Sequence, residues 1–67
     1  MEFTVIYNDK KINKSSDNEN LIIKDVLDEM ELSSETIVSK KNGDIVIEES
    51  SIEDGDEIQF IQIIYGG

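Results

Sequence analysis

Phe3-Thr4-Val5-Ile6-Tyr7 is β-branched and aromatic throughout and stops at Asn8-Asp9-Lys10-Lys11, a cluster of turn-forming and charged residues. That pattern predicts an opening strand and its turn. Ile12 to about Ser16 is the returning strand, with Ile12 its only large apolar residue. Ser15 to Asn20 is rich in Ser, Asp and Asn, whose side chains bond nearby backbone and favour loops and helix starts. From Leu21 to Glu31 the period changes. Ile22, Ile23, Val26, Leu27 and Met30 fall at the spacing of one helical face, and Lys24, Asp25, Asp28, Glu29 and Glu31 occupy the other. The segment predicts an amphipathic helix of about three turns, laid on a sheet by its apolar stripe. Its acidic last turn opposes the helix dipole by a few tenths of a kcal/mol per exposed charge, which packing of the stripe has to outweigh.

Leu32 is expected to fold back beneath the helix. Thr36-Ile37-Val38-Ser39-Lys40-Lys41 then predicts a third strand, and Asn42-Gly43 supplies two residues tolerant of positive φ, a strong hairpin signal. Asp44-Ile45-Val46-Ile47 is the strand coming back. Glu48 to Glu57 is polar apart from Ile52, which is expected to pin this loop to the core, and Asp54-Gly55-Asp56 marks a tight turn. The last strand begins at Ile58 and is the most apolar. Ile58 and Phe60 point to the helix, whereas Ile61 and Ile63 look the other way. A strand apolar on both faces is usually central. The order strand, strand, helix, strand, strand, strand implies an α+β fold, with a mixed sheet of four to five strands, one main helix across one face, and the first and last strands parallel in the middle. Residues 1–67 read as a single domain whose tail, at about 65–67, stands outside the fold.

Composition narrows the chemistry. Sixteen acidic residues stand against six lysines, with no arginine and a formal net charge of -10. A surface of this sign repels phosphate backbones, so direct nucleic-acid binding is disfavoured and a basic protein partner is the natural complement. There is no cysteine and no histidine. That removes the thiolate nucleophile, the usual zinc ligands and the most versatile acid-base group, and argues against self-contained catalysis. No apolar run approaches the roughly 20 residues of a membrane span, the polar face of the helix is acidic where membrane-surface helices are usually basic, and Met1-Glu2 leads straight into a strand instead of a basic, apolar leader. The expected location is the cytoplasm. The acidic loop from Glu48 to Glu57 lacks the spaced ligands of a calcium site and reads as a solvated face. Asp54 and Asp56 suggest no hydrolase. The six lysines are scattered, and Asn42-Gly43 and Gly55 are turn residues.

Gly66-Gly67 has no structural task of this kind. Two glycines at a chain end pack against nothing and are entropically expensive to order. They do provide a backbone thin enough to thread a narrow channel, with a carboxylate at its tip that is a poor electrophile until it is activated.

Asn42-Gly43 on a hairpin, Asp54-Gly55-Asp56-Glu57-Ile58 ahead of the last strand, and Gly66-Gly67 at the end together resemble the sulfur carriers of thiamine and molybdopterin biosynthesis (the ThiS and MoaD types), which share the β-grasp fold with ubiquitin. The resemblance covers nearly the whole chain. Gln62-Ile63-Ile64, with no proline near the tail, is closer to the thiamine type. In two places the sequence departs from the family pattern. Tyr65 stands where members more often carry a small residue, and Ser39 and Lys41 interrupt a strand that is often apolar, which makes that strand look weakly packed. The resemblance implies that an ATP- and magnesium-using, E1-like adenylyltransferase adenylates the Gly67 carboxylate, with Gly66 threading the channel. A sulfur donor such as a cysteine desulfurase then converts it to a thiocarboxylate, and the sulfur passes to a biosynthetic enzyme that makes thiazole, molybdopterin or thiolated tRNA. The carrier itself binds no cofactor or metal and is a substrate, not an enzyme. Ile61, Ile63, Ile64 and Tyr65 are the expected partner-binding residues, since exposed apolar patches mark interfaces. Two other functions fit the same residues: a ubiquitin-like modifier joined to lysines through Gly67, and a plain β-grasp interaction module.

Overall fold

Two tight hairpins and one short helix assemble these segments into a five-stranded mixed sheet with the order β2-β1-β5-β3-β4. The structure is a computed structural model that describes residues 1–63. Its elements are β1 (Glu2–Tyr7), β2 (Lys10–Ser15), α1 (Ile23–Glu29), β3 (Ile37–Lys41), β4 (Asp44–Val46) and β5 (Glu57–Gln62). β1 and β5 pair in parallel at the centre, Val5 opposite Ile58 and Tyr7 opposite Phe60, and every other pairing is antiparallel. This is the α+β arrangement expected from the order of elements, and the β-grasp fold that the resemblance implies. Each hairpin turns on two residues with positive φ, Asn8 (53°) and Asp9 (62°) in one, Asn42 (51°) and Gly43 (91°) in the other. Such connections match the right-handed twist of the strands they join.

One side of the sheet is covered by α1. Phe3, Val5, Ile58 and Phe60 from the central strands meet Ile23, Val26 and Leu27 of the helix, and Ile52 closes the core from the loop before β5. Val5, Ile23 and Ile58 are fully buried. Ser39 of β3 is also buried and lies opposite Phe60. β3 is therefore not the weakly packed strand its polar residues suggested, because a small side chain beside a large ring is a tolerable pairing in a close-packed face. Asp56 is buried too, so the acidic loop is not uniformly solvated.

The helix is shorter than its apolar spacing predicts, with seven residues. Ile22 is extended (φ -119°, ψ 166°) and forms a bridge with Ser51. The Ile23 N–H donates to the Ser50 carbonyl at 3.0 Å, and the Ile52 N–H to that of Leu21 at 2.9 Å. These bonds engage the backbone just before the helix, and Asp25 Oδ2 accepts the Ile22 N–H at 3.0 Å, placing a carboxylate at the electropositive first turn. At the other end Glu31 adopts φ 60°. Its N–H donates to the Asp28 carbonyl at 3.1 Å and the Leu32 N–H to that of Leu27 at 2.8 Å, the Schellman closure. Leu32 thereby returns to the core, as expected. No helix among the described residues is long and apolar enough to cross a membrane.

Candidate functional site

β5 alternates from Glu57 to Ile61: Ile58 and Phe60 are buried, Gln59 and Ile61 are exposed. Residues paired across strands share a side of the sheet, so the register defines the face opposite the helix. One row across it runs Lys11, Ile6, Gln59, Lys40, Ile45, and Ile61 pairs with Val38 in the next. Ile61 is 37% exposed and Ile63 is 36% exposed. The Ile63 N–H donates to the Thr36 carbonyl at 2.8 Å, which prolongs the alignment of the chain beside β3 for one residue past β5. Ile45 and Ile47, at 71% and 69%, are more exposed still.

The uncovered face is thus broader than the C-terminal strand alone. Ile6, Val38 and Ile45 belong to it by register, with Ile47 exposed just past β4, and none of the four was singled out from sequence. The signal was available in Asp44-Ile45-Val46-Ile47: in a sheet with one helix, only one side of that alternation can be covered. Val46 is the side that packs on the core. Ile64, Tyr65, Gly66 and Gly67, the remaining expected site residues, lie outside the described residues.

A second polar construction fixes where β5 starts. Asp54 Oδ1 accepts the Glu2 N–H at 2.7 Å, the Gly55 N–H donates to the Glu2 carbonyl at 2.7 Å, and the Thr4 N–H to that of Asp56 at 2.9 Å. The turn, with Gly55 at φ 84°, clasps β1 and so fixes the parallel register at the sheet centre. Asp56 faces inward. Its Oδ1 accepts Asn42 Nδ2 at 2.9 Å, its Oδ2 accepts the Glu53 N–H at 2.8 Å, and Lys41 Nζ stands 3.9 Å from Oδ2. Asn42 Oδ1 in turn accepts the Glu57 N–H at 2.9 Å. A buried carboxylate needs partners of this kind. The two sequence features noted separately, Asn42-Gly43 and Asp54-Gly55-Asp56, therefore meet in one hydrogen-bonded node at the base of β5. Among the described residues no three acidic side chains converge on a point that could hold a metal ion.

Comparison with solved structures places this architecture among known proteins. The thiamine biosynthesis protein ThiS from Geobacter metallireducens is similar over the whole of both chains, with a TM-score of 0.72 and 24% identity. SAMP1 from Haloferax volcanii is similar with a TM-score of 0.68 and 16% identity, over 98% of this chain and 97% of that one. At such identities the likeness is one of fold. The sequence itself matches the model of the ThiS family over residues 5–67, a stretch that includes the uncovered strand and both terminal glycines, and the chain belongs to the ThiS family.

Proposed function

We propose that the protein is a sulfur carrier whose Gly67 carboxylate is the working group. The observation that carries this reading is the extent of the family match, which runs through Gly66 and Gly67 and not only through the folded strands. An E1-like adenylyltransferase, using magnesium-ATP of its own, joins the carboxylate to AMP with loss of pyrophosphate. A sulfur donor such as a cysteine desulfurase then delivers persulfide sulfur that displaces AMP to form an acyl disulfide, a thiol reductant cleaves that disulfide to leave the thiocarboxylate, and the sulfur passes to an acceptor enzyme of thiamine thiazole synthesis, or of molybdopterin or thiolated tRNA synthesis. Apart from the Gly67 carboxylate, whose oxygen attacks the α-phosphorus of ATP, the carrier contributes no acid, base or nucleophile to activation, which suits a chain without cysteine or histidine. Its contribution is presentation. β5 is anchored through Ile58 and Phe60, the Asp56 node fixes its start, and the segment following Ile63 leads toward Gly67.

We assign partner recognition to the uncovered face, through Ile61, Ile63, Val38 and Ile45, together with Ile64 and Tyr65, which follow in sequence. Intact mass of protein isolated from its own cells tests the proposal. One oxygen replaced by sulfur at Gly67 supports the carrier. Gly67 remnants on lysines of other proteins, with no sulfur-bearing form, would replace it with a protein modifier acting through the same activated carboxylate. Neither product, in cells that contain the activating enzyme, leaves only an interaction module.

A further inference from the structure

Asn42 and Gly43 carry a chemistry that their role as a turn does not use. In an Asn-Gly pair the second residue has no side chain to obstruct its backbone nitrogen, and that nitrogen can attack Cγ of the asparagine to close a five-membered imide. The attack requires the asparagine amide to swing free. Here it is held at both ends: Nδ2 donates to Asp56 Oδ1 at 2.9 Å and Oδ1 accepts the Glu57 N–H at 2.9 Å. The Asn42 N–H donates to the Glu57 carbonyl at 2.8 Å, fixing the main chain as well. The acceptor is itself buried and tied by its other oxygen to the Glu53 N–H at 2.8 Å, so it cannot follow a moving amide. Asn42 and Gly43 are nevertheless exposed, and water reaches them.

We propose that Asn42 is a self-modification site kept closed by Asp56. When the β3–β4 turn lifts from the base of β5, the Gly43 nitrogen forms a bond to Asn42 Cγ. The Cγ–Nδ2 bond breaks, and ammonia leaves with the proton that the Gly43 nitrogen gave up. One water then opens either nitrogen–carbonyl bond of the imide and returns a proton to that nitrogen, giving aspartate or isoaspartate at position 42. No oxidant or reductant takes part. Neither product can restore the closed state, since each lacks the Nδ2 donor and sets a second carboxylate against the buried carboxylate of Asp56. Isoaspartate also inserts a main-chain carbon into a two-residue turn on which the pairing of Lys41 with Asp44 depends. A transient opening is thereby made permanent.

Peptide mass mapping of the full-length protein in mildly alkaline buffer, with isoaspartate quantified, tests this. Folded protein is expected to convert at least about tenfold more slowly than protein held unfolded in urea, because reaction must pass through opening. Asp56→Ala, checked for folding by circular dichroism, should convert at least about threefold faster than the folded parent. Asp56→Asn has one acceptor oxygen for two donors, Asn42 Nδ2 and the Glu53 N–H, and should convert at a rate between those of the parent and Asp56→Ala. Should Asp56→Ala not fold, conversion of the parent across urea concentrations below its unfolding transition replaces it, with a rate that rises before the fold is lost. For the product, Asn42→Asp should melt below Asn42→Gly, which keeps the turn and adds no charge. Conversion of the folded parent within about twofold of the unfolded rate overturns the proposal. So does a folded Asp56→Ala that reacts no faster than the parent, a parent rate flat up to the transition, or an Asn42→Asp protein as stable as Asn42→Gly.

Discussion

Replacing Ile61 by glutamate and Phe60 by alanine, one at a time, separates the two faces of β5. Fully burying an isoleucine is worth about 1.5–3 kcal/mol. Ile61 keeps 37% of its surface exposed, so the charged replacement forfeits at most about 1–2 kcal/mol. A glutamate there is diagonal to Lys40, the partner of Gln59, and such a pair returns a few tenths of a kcal/mol. Phe60 is 3% exposed and contacts the helix side of the core, and its truncation costs about 3–5 kcal/mol. A chain of this size has roughly 3–10 kcal/mol of stability in total. Ile61→Glu should therefore remain folded, melting no more than about 15 °C below the parent, whereas Phe60→Ala should be largely unfolded or close to it. Urea and thermal denaturation followed by circular dichroism give both numbers, and titration calorimetry with the activating enzyme gives the third. Ile61→Glu should weaken that binding at least about tenfold, since an apolar anchor is replaced by a charge that must be desolvated. If Ile61→Glu unfolds as readily as Phe60→Ala, the facing of β5 is wrong. If it stays folded and binds normally, the partner surface lies elsewhere.

Three further outcomes are expected. Asp56→Ala leaves the Glu53 N–H and Asn42 Nδ2 without their charged acceptor and should cost about 2–3 kcal/mol in urea denaturation, with Asp56→Asn losing less. Glu31→Gly relieves a side chain held at φ 60° and should gain about 0.5–1 kcal/mol, raising the melting temperature by a few degrees. Deleting Gly67 should abolish formation of the acyl-adenylate, read as ATP–pyrophosphate exchange on the activating enzyme, while shifting the melting temperature by less than about 2 °C, because terminal residues of this kind bury little.

Much of this architecture can be read from local pattern. Alternation in Ile58 to Ile61 gives both the burial of the last strand and its exposed side, and Asn42-Gly43 marks the β3–β4 hairpin because few other residue pairs accept positive φ at both positions. The helix is harder to bound. Ile22 continues the apolar spacing of the stripe, yet its backbone is engaged by Ser51, a residue remote in sequence that no helical periodicity can reveal. Asp56 is harder again, since an aspartate beside glycine in an acidic loop looks solvated until Asn42 and the Glu53 backbone are brought to it by the tertiary fold. The exposure of Ile45 and Ile47 follows from combining their alternation with Val46 and the single helix, which leaves one face of the sheet without cover. Of the candidate site, Ile61 and Ile63 were legible because side-chain period in a strand is two.

The parallel contact between β1 and β5 ties the assembly of the molecule to the order in which it is made. Val5 has no partner at Ile58 until the chain has been made as far as β5, and until then β1 and β3 each expose an edge that will later be sealed. A chain interrupted before β5 lacks Ile58 and Phe60, two of the residues that close the core, and presents open edges of the kind that aggregate or invite degradation. Contacts so distant in sequence also make folding slow relative to helical proteins of the same length. Completion of the fold consequently reports that translation has reached β5, whose last residues lie next to the segment that ends in Gly67.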